Sequence, residues 1–332
     1  ACLLSAGCGG NSGTVPVQPS SSPAPPIALG RGSVAVLAVR RANDRFRILI
    51  FPPQGDKAAR EFTIAARPNS LAFARHDRLF YGINGQDEYF VREVNVENGE
   101  RIRSIDLKPS WFASSVGTDD YNVLYVNTKS LVGGDVKLFQ PGHEKPYLEI
   151  KDPLEPFEIS IARESLWVGY YGALSDGLAR YDLRSTKQTW FRNTGSNLPV
   201  GFAVNPDGSL IAAHVRRNNG SAVIVYDTRR HASTKLHEGD TRGLAGDDSG
   251  NLYIAQRSGR ILICTFSGCP QSFETNLQIE GLAWNPRDGM LYVAGEGSTG
   301  NGVYAYDPRT RSRVRYLPVE GNELAVLISI EG

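Results

Sequence analysis

A short apolar motif recurs seven times along this chain at nearly constant spacing, and this period limits the folds open to it. Each copy consists of three consecutive apolar or aromatic residues, and the leading residues are Val34, Leu79, Leu124, Leu166, Leu210, Leu252 and Leu291. Successive copies begin 39 to 45 residues apart. A period of roughly 40–45 residues is typical of four-stranded propeller blades. The sequence therefore predicts an all-β, seven-bladed β-propeller of four-stranded antiparallel blades.

The segment Ile279–Val319 shows the content of one repeat. Its four apolar runs are Gly281–Trp284, Met290–Ala294, Val303–Tyr306 and Val314–Leu317. Turn-forming residues separate the runs, with Asn-Pro-Arg-Asp-Gly between the first two and Asp-Pro-Arg-Thr between the last two. Short apolar runs with this punctuation are typical of β-strands joined by tight turns. The repeat therefore predicts a four-stranded meander.

A second set of apolar runs marks the first strand of each repeat. These runs begin at Leu71, Phe112, Ile159, Phe202, Leu244, Leu282 and Leu324. The last of them follows the final complete repeat, whereas the repeat at Val34–Val39 has no first strand before it. We therefore predict that Asn322–Ile330 completes the blade formed by Val34–Val39, Phe46–Phe51 and Glu61–Ile64. Closure by the C-terminal strand would leave no open sheet edge at the seam.

The repeat sequence also resembles known families. The segment Gly243–Ala255, GLAGDDSGNLYIA, resembles the repeats of NHL and YncE-like propellers, and it is similar to propellers of the gluconolactonase and virginiamycin B lyase type. This resemblance covers the repeats of the predicted domain. It implies two classes of function: a non-catalytic ligand-binding or protein-interaction domain, or a metal-dependent lactonase or lyase.

The residues that enter the first strands are the best candidates for a binding site, because these strands surround the central channel of a propeller. The candidate residues at the channel mouth are Asn69, Glu158, Arg242, Glu280 and Glu323. In gluconolactonase-type propellers, a Glu, an Asn and an Asp hold a divalent metal, and the resemblance assigns a metal site here to Glu280, Glu323 and Asn69. Carboxylate and amide oxygens suit a hard cation such as calcium. The alternative is that Arg242 pairs with Glu280 and that nothing binds.

The N-terminal residues carry features of secretion. Residues 1–8 resemble the end of a bacterial lipoprotein signal peptide, with small residues before Cys8, the expected lipidation site. Residues 9–29 are uncharged and rich in Gly, Ser and Pro, which predicts a flexible linker before a propeller domain at 30–332. The alternative for residues 1–8 is a signal peptide without lipid. The lipoprotein interpretation predicts a location at the bacterial cell envelope, with membrane contact only through the lipid anchor.

Two cysteines, Cys264 and Cys269, bracket a four-residue segment between apolar runs. This spacing places them opposite each other across a hairpin. In an oxidising compartment outside the cytoplasm it predicts a disulfide. The alternative is a pair of free thiols.

The composition limits the partners of the protein. The formal net charge is +1, so neither nucleic acid nor another strongly charged partner is expected. The five histidines lack the short spacings of zinc ligands. Gly295–Gly300 fits the pattern G-x-G-x-x-G, but a strand-like run follows instead of a helix, which predicts a turn and not a dinucleotide site. We expect a monomer whose ligand is an unknown protein or small molecule, and both classes of function stay open.

Overall fold

The structure is a computed structural model that describes residues 29, 31–40, 45–64, 68–75, 78–84, 89–108, 112–119, 121–130, 133–152, 155–162, 164–172, 176–217, 220–319 and 323–330. Residues 1–28, with Cys8 and nearly all of the expected linker, lie outside these ranges. Within them the chain forms 28 β-strands. No helix that could cross a membrane is found in this part of the chain.

The strands pair into seven antiparallel sheets of four, which are the blades of a propeller. The first three strands are β1 (Val34–Arg40), β2 (Arg45–Phe51) and β3 (Arg60–Ile64). Blade 1 follows with β4 (Pro68–Ala74), β5 (Arg78–Asn84), β6 (Tyr89–Asn95) and β7 (Arg101–Asp106). Blade 2 contains β8 (Phe112–Thr118), β9 (Leu124–Ser130), β10 (Gly133–Phe139) and β11 (Leu148–Asp152). Blade 3 contains β12 (Glu155–Ala162), β13 (Ser165–Tyr171), β14 (Asp176–Asp182) and β15 (Gln188–Gly195).

The next three blades have the same order, with the innermost strand first. Blade 4 contains β16 (Leu198–Val204), β17 (Leu210–Arg217), β18 (Gly220–Asp227) and β19 (Ala232–Glu238). Blade 5 contains β20 (Thr241–Gly246), β21 (Leu252–Gln256), β22 (Arg260–Thr265) and β23 (Gly268–Glu274). Blade 6 contains β24 (Leu277–Asn285), β25 (Met290–Gly297), β26 (Gly300–Asp307) and β27 (Ser312–Pro318). The predicted turn within Gly295–Gly300 joins β25 to β26.

The last strand, β28 (Glu323–Ile330), pairs with β1 and becomes the innermost strand of blade 7, in the order β28-β1-β2-β3. The predicted closure by the C-terminal strand is thereby confirmed. Each innermost strand contacts the next one around the ring, and β28 contacts β4. The backbone N–H of Phe73 in β4 donates to Ser329 Oγ in β28 at 2.8 Å. The seven innermost strands therefore surround a central channel.

The core lies between the faces of neighbouring blades. Between blades 4 and 5, for example, Ala212 and Val223 pack with Leu252 and Ile254, and all four are buried. Burying a valine, leucine or isoleucine side chain stabilises the fold by roughly 2 kcal/mol. Because every blade is covered by its two neighbours, the second and third strands are buried on both faces, as in β17 and β18, whereas outermost strands such as β19 carry exposed polar residues.

One feature common to all blades was not predicted: each innermost strand contains one extra residue at the same place. The pairing with the second strand shifts there by one residue, as in a β-bulge. The extra residues, here called the bulge ring, are Asn69, Ser114, Phe157, Val200, Arg242, Glu280 and Val326. Since the seven blades repeat one another, these residues lie at one height around the channel. We call the face on which the innermost strands begin the upper face.

The bulges correct the predicted register in two blades. The residue equivalent to Leu71 is Val116 in blade 2, not Phe112, because Val116 pairs with Val126 as Leu71 pairs with Tyr81. In blade 7 the equivalent residue is Ile328, not Leu324, for the same reason. In both of these strands an apolar residue stands four positions after the predicted one: Val116 follows Phe112, and Ile328 follows Leu324. The apolar pattern alone therefore fits both registers, and no turn residue inside the strand decides between them.

Candidate functional site at the channel mouth

The structure places the five predicted mouth residues at three different levels. Asn69, Arg242 and Glu280 belong to the bulge ring, in blades 1, 5 and 6. Glu158 is one residue further along its strand, directly after the bulge residue of blade 3. Glu323 begins β28, three residues before the bulge of blade 7, and its side chain lies outside the described part. Sequence spacing therefore placed three of the five residues at equivalent positions.

The charged residues of the ring pair within or next to blade 5. Arg242 Nε lies 3.3 Å from Asp240 Oδ1, two residues earlier in the chain. Glu280 Oε1 lies 3.6 Å from Arg257 Nη2, which comes from the turn between β21 and β22. The ion pair considered between Arg242 and Glu280 is not formed, because each side chain has a nearer partner of opposite charge. One charged arc therefore covers blades 5 and 6.

Glu158 is the mouth carboxyl whose protonation responds to its surroundings. Burial raises its pKa to about 7, and this rise is partly offset by hydrogen bonds from Ser115 and from the backbone N–H of Ile159. The Ser115 hydroxyl donates to Glu158 Oε1 at 3.1 Å across the boundary between blades 2 and 3. A carboxyl with a pKa near neutrality can both give and take a proton under ordinary conditions.

The ring is apolar on its other side. Its members in blades 3 and 4 are Phe157 and Val200. Phe157 is 36% exposed, which is unusual for a phenyl ring next to a core. Tyr171, at the end of the neighbouring strand β13, is also exposed. The mouth is therefore amphipathic, with an apolar arc on blades 3 and 4 and a charged arc on blades 5 and 6.

Two clefts open on the upper face beside the charged arc. One, of about 680 Å³, lies between blades 5 and 6 and includes Gln256 and Gln278. The other, of about 760 Å³, lies between blades 4 and 5 and includes Asn197 and Arg217. The two clefts meet at Asp240, which lines both. Each has the size of a small-molecule site, and most of the lining residues have polar side chains.

Sequence reasoning missed two buried polar residues at this level, Asn127 and His214. They occupy equivalent positions in the second strands of blades 2 and 4, opposite Ser115 and Gly201. Asn127 is fully buried and neither amide atom has a hydrogen-bond partner, and His214 Nε2 also has none. Burial, and then the charges of Arg216 and Arg242, lower the pKa of His214 to about 4, so its ring is neutral at pH 7.

A signal for these two residues exists in the sequence. At the same position of the second strand, the other blades carry Gly82, Gly169, Ala255, Ala294 and Leu37. An asparagine and a histidine at a position that is otherwise small or apolar would have stood out in a blade-by-blade comparison.

The predicted metal site has no further support from the described residues. Among them, no three His, Cys, Asp or Glu side chains are grouped to hold a metal ion. Asn69 and Glu280 lie in blades 1 and 6, on either side of blade 7, which contributes Glu323. Calcium binding by these three residues stays a prediction.

The two predicted disulfide partners lie together. The Sγ atoms of Cys264 and Cys269 are 2.14 Å apart, at disulfide-bonding distance, on either side of the turn between β22 and β23. This hairpin forms the outer edge of blade 5, away from the channel. The pair therefore belongs to the outer edge of blade 5.

Comparison with known proteins supports the fold and goes no further. No family model matches the sequence, and no match was found among curated proteins. Among solved structures, the chain is similar to hydrazine synthase of Kuenenia stuttgartiensis, with a TM-score of 0.64 and 16% sequence identity. The similarity covers 81% of this chain and 89% of that one. At this identity the likeness shows the propeller fold alone.

Proposed function

We propose that this chain is a non-catalytic ligand-binding or protein-interaction propeller of the bacterial cell envelope, and that it binds through its upper face. The observation that carries the proposal is the pair of clefts that meet at Asp240 beside the bulge ring. Together they offer a continuous polar surface across blades 4 to 6. The apolar arc with Phe157 borders this surface and adds a contact for the apolar part of a ligand.

The binding test blocks each cleft separately. Ser258 and Ser196 are exposed and line the two clefts, so Ser258→Trp and Ser196→Trp should fill them without breaking a core contact. A panel of amino acids, short peptides and sugars is screened by thermal unfolding of the full chain. We expect at least one compound to raise the unfolding midpoint of wild type but not of a blocked variant.

The matched control is Lys145→Trp, an exposed site on the opposite face between β10 and β11. It should respond to the compound as wild type does. If no compound stabilises wild type, or if the stabilisation persists in both blocked variants, the upper face is not the binding surface.

The location at the envelope rests on the N-terminal sequence. Small residues precede Cys8, and an uncharged Gly, Ser and Pro segment separates it from the first blade. A segment of this kind gives a lipid-anchored domain freedom to reach a partner. Expression of the full precursor in bacteria with radiolabelled palmitate should label wild type and leave Cys8→Ser unlabelled. Label in the variant, or none in wild type, would contradict the anchor.

A second candidate is a metal-dependent lactonase or lyase, and Glu158 is the observation that favours it. Its carboxyl has a pKa of about 7 and lies beside the channel. Such a group could serve as a general acid or base, which typically contributes about 10²- to 10⁴-fold in rate. A panel of lactones with calcium and other divalent ions tests this candidate. Turnover that Glu158→Gln abolishes would favour the enzyme, and no turnover would favour the binding domain.

A further inference from the structure

The junction of blades 4 and 5 contains two polar atoms that are buried without a hydrogen-bond partner, His214 Nε2 and Thr241 Oγ1. The adjacent Arg242 Nε is also buried, and its ion-pair partner is the exposed carboxylate of Asp240, at 3.3 Å. His214 is 6% exposed and Thr241 4%, so neither can be satisfied by bulk water. Buried polar atoms in native proteins nearly always have a partner, and an unpartnered one costs about 1–3 kcal/mol. Two of them beside a buried guanidinium nitrogen indicate a place for a bound group.

The backbone leaves space at this junction. Gly201 lies opposite His214 in the strand pair, and a Cβ atom added at Gly201 would meet only His214 Cβ, at 3.8 Å. The next blade differs, because a Cβ atom at the equivalent Gly243 would run into Leu282 Cβ at 2.5 Å. Gly201 therefore keeps a gap in front of His214.

The charges around the gap favour an anion. After burial, the positive charges of Arg216 and Arg242 lower the pKa of His214, and only Asp240 acts in the opposite direction. The imidazole is therefore neutral in a net positive field, and it can donate one N–H. Asp240 is 58% exposed and lies 3.3 Å from Arg242 Nε. Its carboxylate can turn into water at little cost when another anion takes its place, because exposed ion pairs contribute only about 0–1 kcal/mol.

The surface beside the gap is apolar. The bulge residues of blades 4 and 3 are Val200 and Phe157, and Phe157 is partly exposed. A ligand whose anionic head reaches Arg242 would extend its body over these two side chains. Aromatic rings gain contact area from such a surface and favour offset or edge-to-face packing.

We propose that the junction of blades 4 and 5 binds the carboxylate of a small apolar acid. Arg242 and Thr241 donate hydrogen bonds to the carboxylate, the neutral His214 ring donates a third, and Val200 and Phe157 contact the apolar body. The proposal rests on the proposed binding function and specifies a ligand class for it. A carboxylate matches three donors better than an amide, which would turn an N–H group towards at least one of them.

The test is calorimetric titration of the full chain with benzoate, benzamide and benzylamine. We expect benzoate to bind, benzamide to bind at least about tenfold more weakly, and benzylamine not to bind, since each tenfold corresponds to about 1.4 kcal/mol. Arg242→Gln and Thr241→Val should each weaken benzoate binding, and Phe157→Ala should weaken benzoate more than acetate. The matched control is Arg230→Gln, at an exposed arginine on the opposite face of blade 4, which should leave binding unchanged.

A second readout keeps the proposal open to refutation if a variant unfolds. In wild type, benzoate should shift the NMR signal of the His214 ring, assigned by its absence in His214→Gln, and leave the exposed His231 unchanged. Equal binding of benzoate and benzamide, unaltered binding in Arg242→Gln, or no benzoate binding with an unmoved His214 signal would each overturn the proposal. If benzoate fails but a panel compound still depends on the clefts, the carboxylate is wrong and the binding function stands. If both fail, both are wrong.

Discussion

Two sets of buried polar side chains differ in whether they have hydrogen-bond partners: tyrosines beside lower-face turns have them, and three side chains of the bulge layer do not. The bulge layer is the bulge ring together with the residues directly next to it in the first and second strands. At the lower face, where the first and second strands of each blade join, the Tyr125 hydroxyl donates to Asp119 and the Tyr253 hydroxyl donates to Asp247, both at 2.9 Å. The same aspartates accept backbone N–H groups of their turns, from Val123 and from Asn251. Around the channel, by contrast, the buried side chains of Asn127, His214 and Thr241 keep unpartnered polar atoms.

We interpret this difference as a division of roles within one repeat, in which the lower-face turns provide stability and the bulge layer provides the binding site. A satisfied hydrogen bond contributes about 1 kcal/mol, whereas an unsatisfied buried group costs about 1–3 kcal/mol. The hydrogen bonds of these lower-face turns therefore stabilise blades 2 and 5. The bulge layer contains buried polar atoms without a protein partner, and such atoms are expected where a ligand or an ordered water completes their hydrogen bonds. The predictions below test this division, beginning with the largest effect.

The closing strand β28 should show the largest effect, because it completes blade 7 and with it the ring of seven blades, which we call the frame. A truncation that ends at residue 321 removes β28 and exposes the inner edge of β1, including the buried Val34 and Val36. We expect aggregation or the loss of a cooperative unfolding transition, since both a sheet edge and a core face would meet water. Thermal unfolding followed by circular dichroism is the measurement.

A second truncation, which removes residues 1–28, is the control and should unfold like the full chain. A soluble protein ending at residue 321 with an unchanged midpoint would show that the closing strand is not needed. The frame would then not depend on the pairing of the two ends of the chain.

The frame was predictable from the sequence because repetition identifies it. Seven copies of one apolar motif gave the number of blades, and the absence of a first strand before Val34 indicated that Leu324 and its neighbours would close the ring. These inferences need only the order of apolar runs and the rule that sheet edges must be covered. They do not depend on the exact register within a strand.

The mouth was less predictable, because a bulge leaves no mark on the apolar pattern. In blade 2 both Phe112 and Val116 fit the pattern, and the pairing of Val116 with Val126 decides between them only in three dimensions. The polar groups of the bulge layer were missed for a different reason. Asn127 and His214 stand in the second strands, whereas only the first strands were compared for site residues.

The pH dependence of the free energy of unfolding should distinguish Glu158 from His214, because their pKa values are shifted in opposite directions. The pKa of Glu158 is raised from 4.5 to about 7, so the folded state holds this proton more tightly and Glu158 lowers the free energy of unfolding as pH rises from 4.5 to 7. The pKa of His214 is lowered from 6.5 to about 4, so His214 raises the free energy of unfolding as pH rises from 4 to 6.5. Each contribution is at most about 3 kcal/mol.

Urea unfolding of wild type, Glu158→Gln and His214→Gln between pH 4 and 8 measures both contributions. Relative to Glu158→Gln, wild type should lose stability across its window, and relative to His214→Gln it should gain. A flat difference for Glu158→Gln would mean that its carboxyl is hydrated as on the surface. The bulge layer would then not be set apart from the lower face.

The cysteine pair should stabilise the outer hairpin of blade 5 and leave ligand binding at the channel mouth unaffected. We expect no free thiol from Cys264 or Cys269 when the unreduced chain is denatured and titrated. Closing so short a loop gains little entropy, so Cys264→Ser with Cys269→Ser should cost about 1–3 kcal/mol in urea unfolding. Binding of benzoate at the mouth should not change. Two free thiols would refute the disulfide, and altered benzoate binding would show that the outer hairpin reaches the mouth.

The smallest effect gives the most direct test, because it compares two hydroxyl groups in the same blade. Both Tyr253 and Thr241 of blade 5 are buried, but the tyrosine hydroxyl donates to Asp247 and the threonine hydroxyl has no partner. Tyr253→Phe should therefore cost about 1–2 kcal/mol in urea unfolding at pH 7, since it removes a hydrogen bond to a carboxylate. Thr241→Val should cost nothing or stabilise slightly, because it replaces an unpartnered hydroxyl with a methyl group of similar size. If Thr241→Val destabilises the ligand-free chain as much as Tyr253→Phe does, the Thr241 hydroxyl is already satisfied by bound water. The unpartnered donors at the mouth would then not be held ready for a ligand, and the contrast between the two regions would fail.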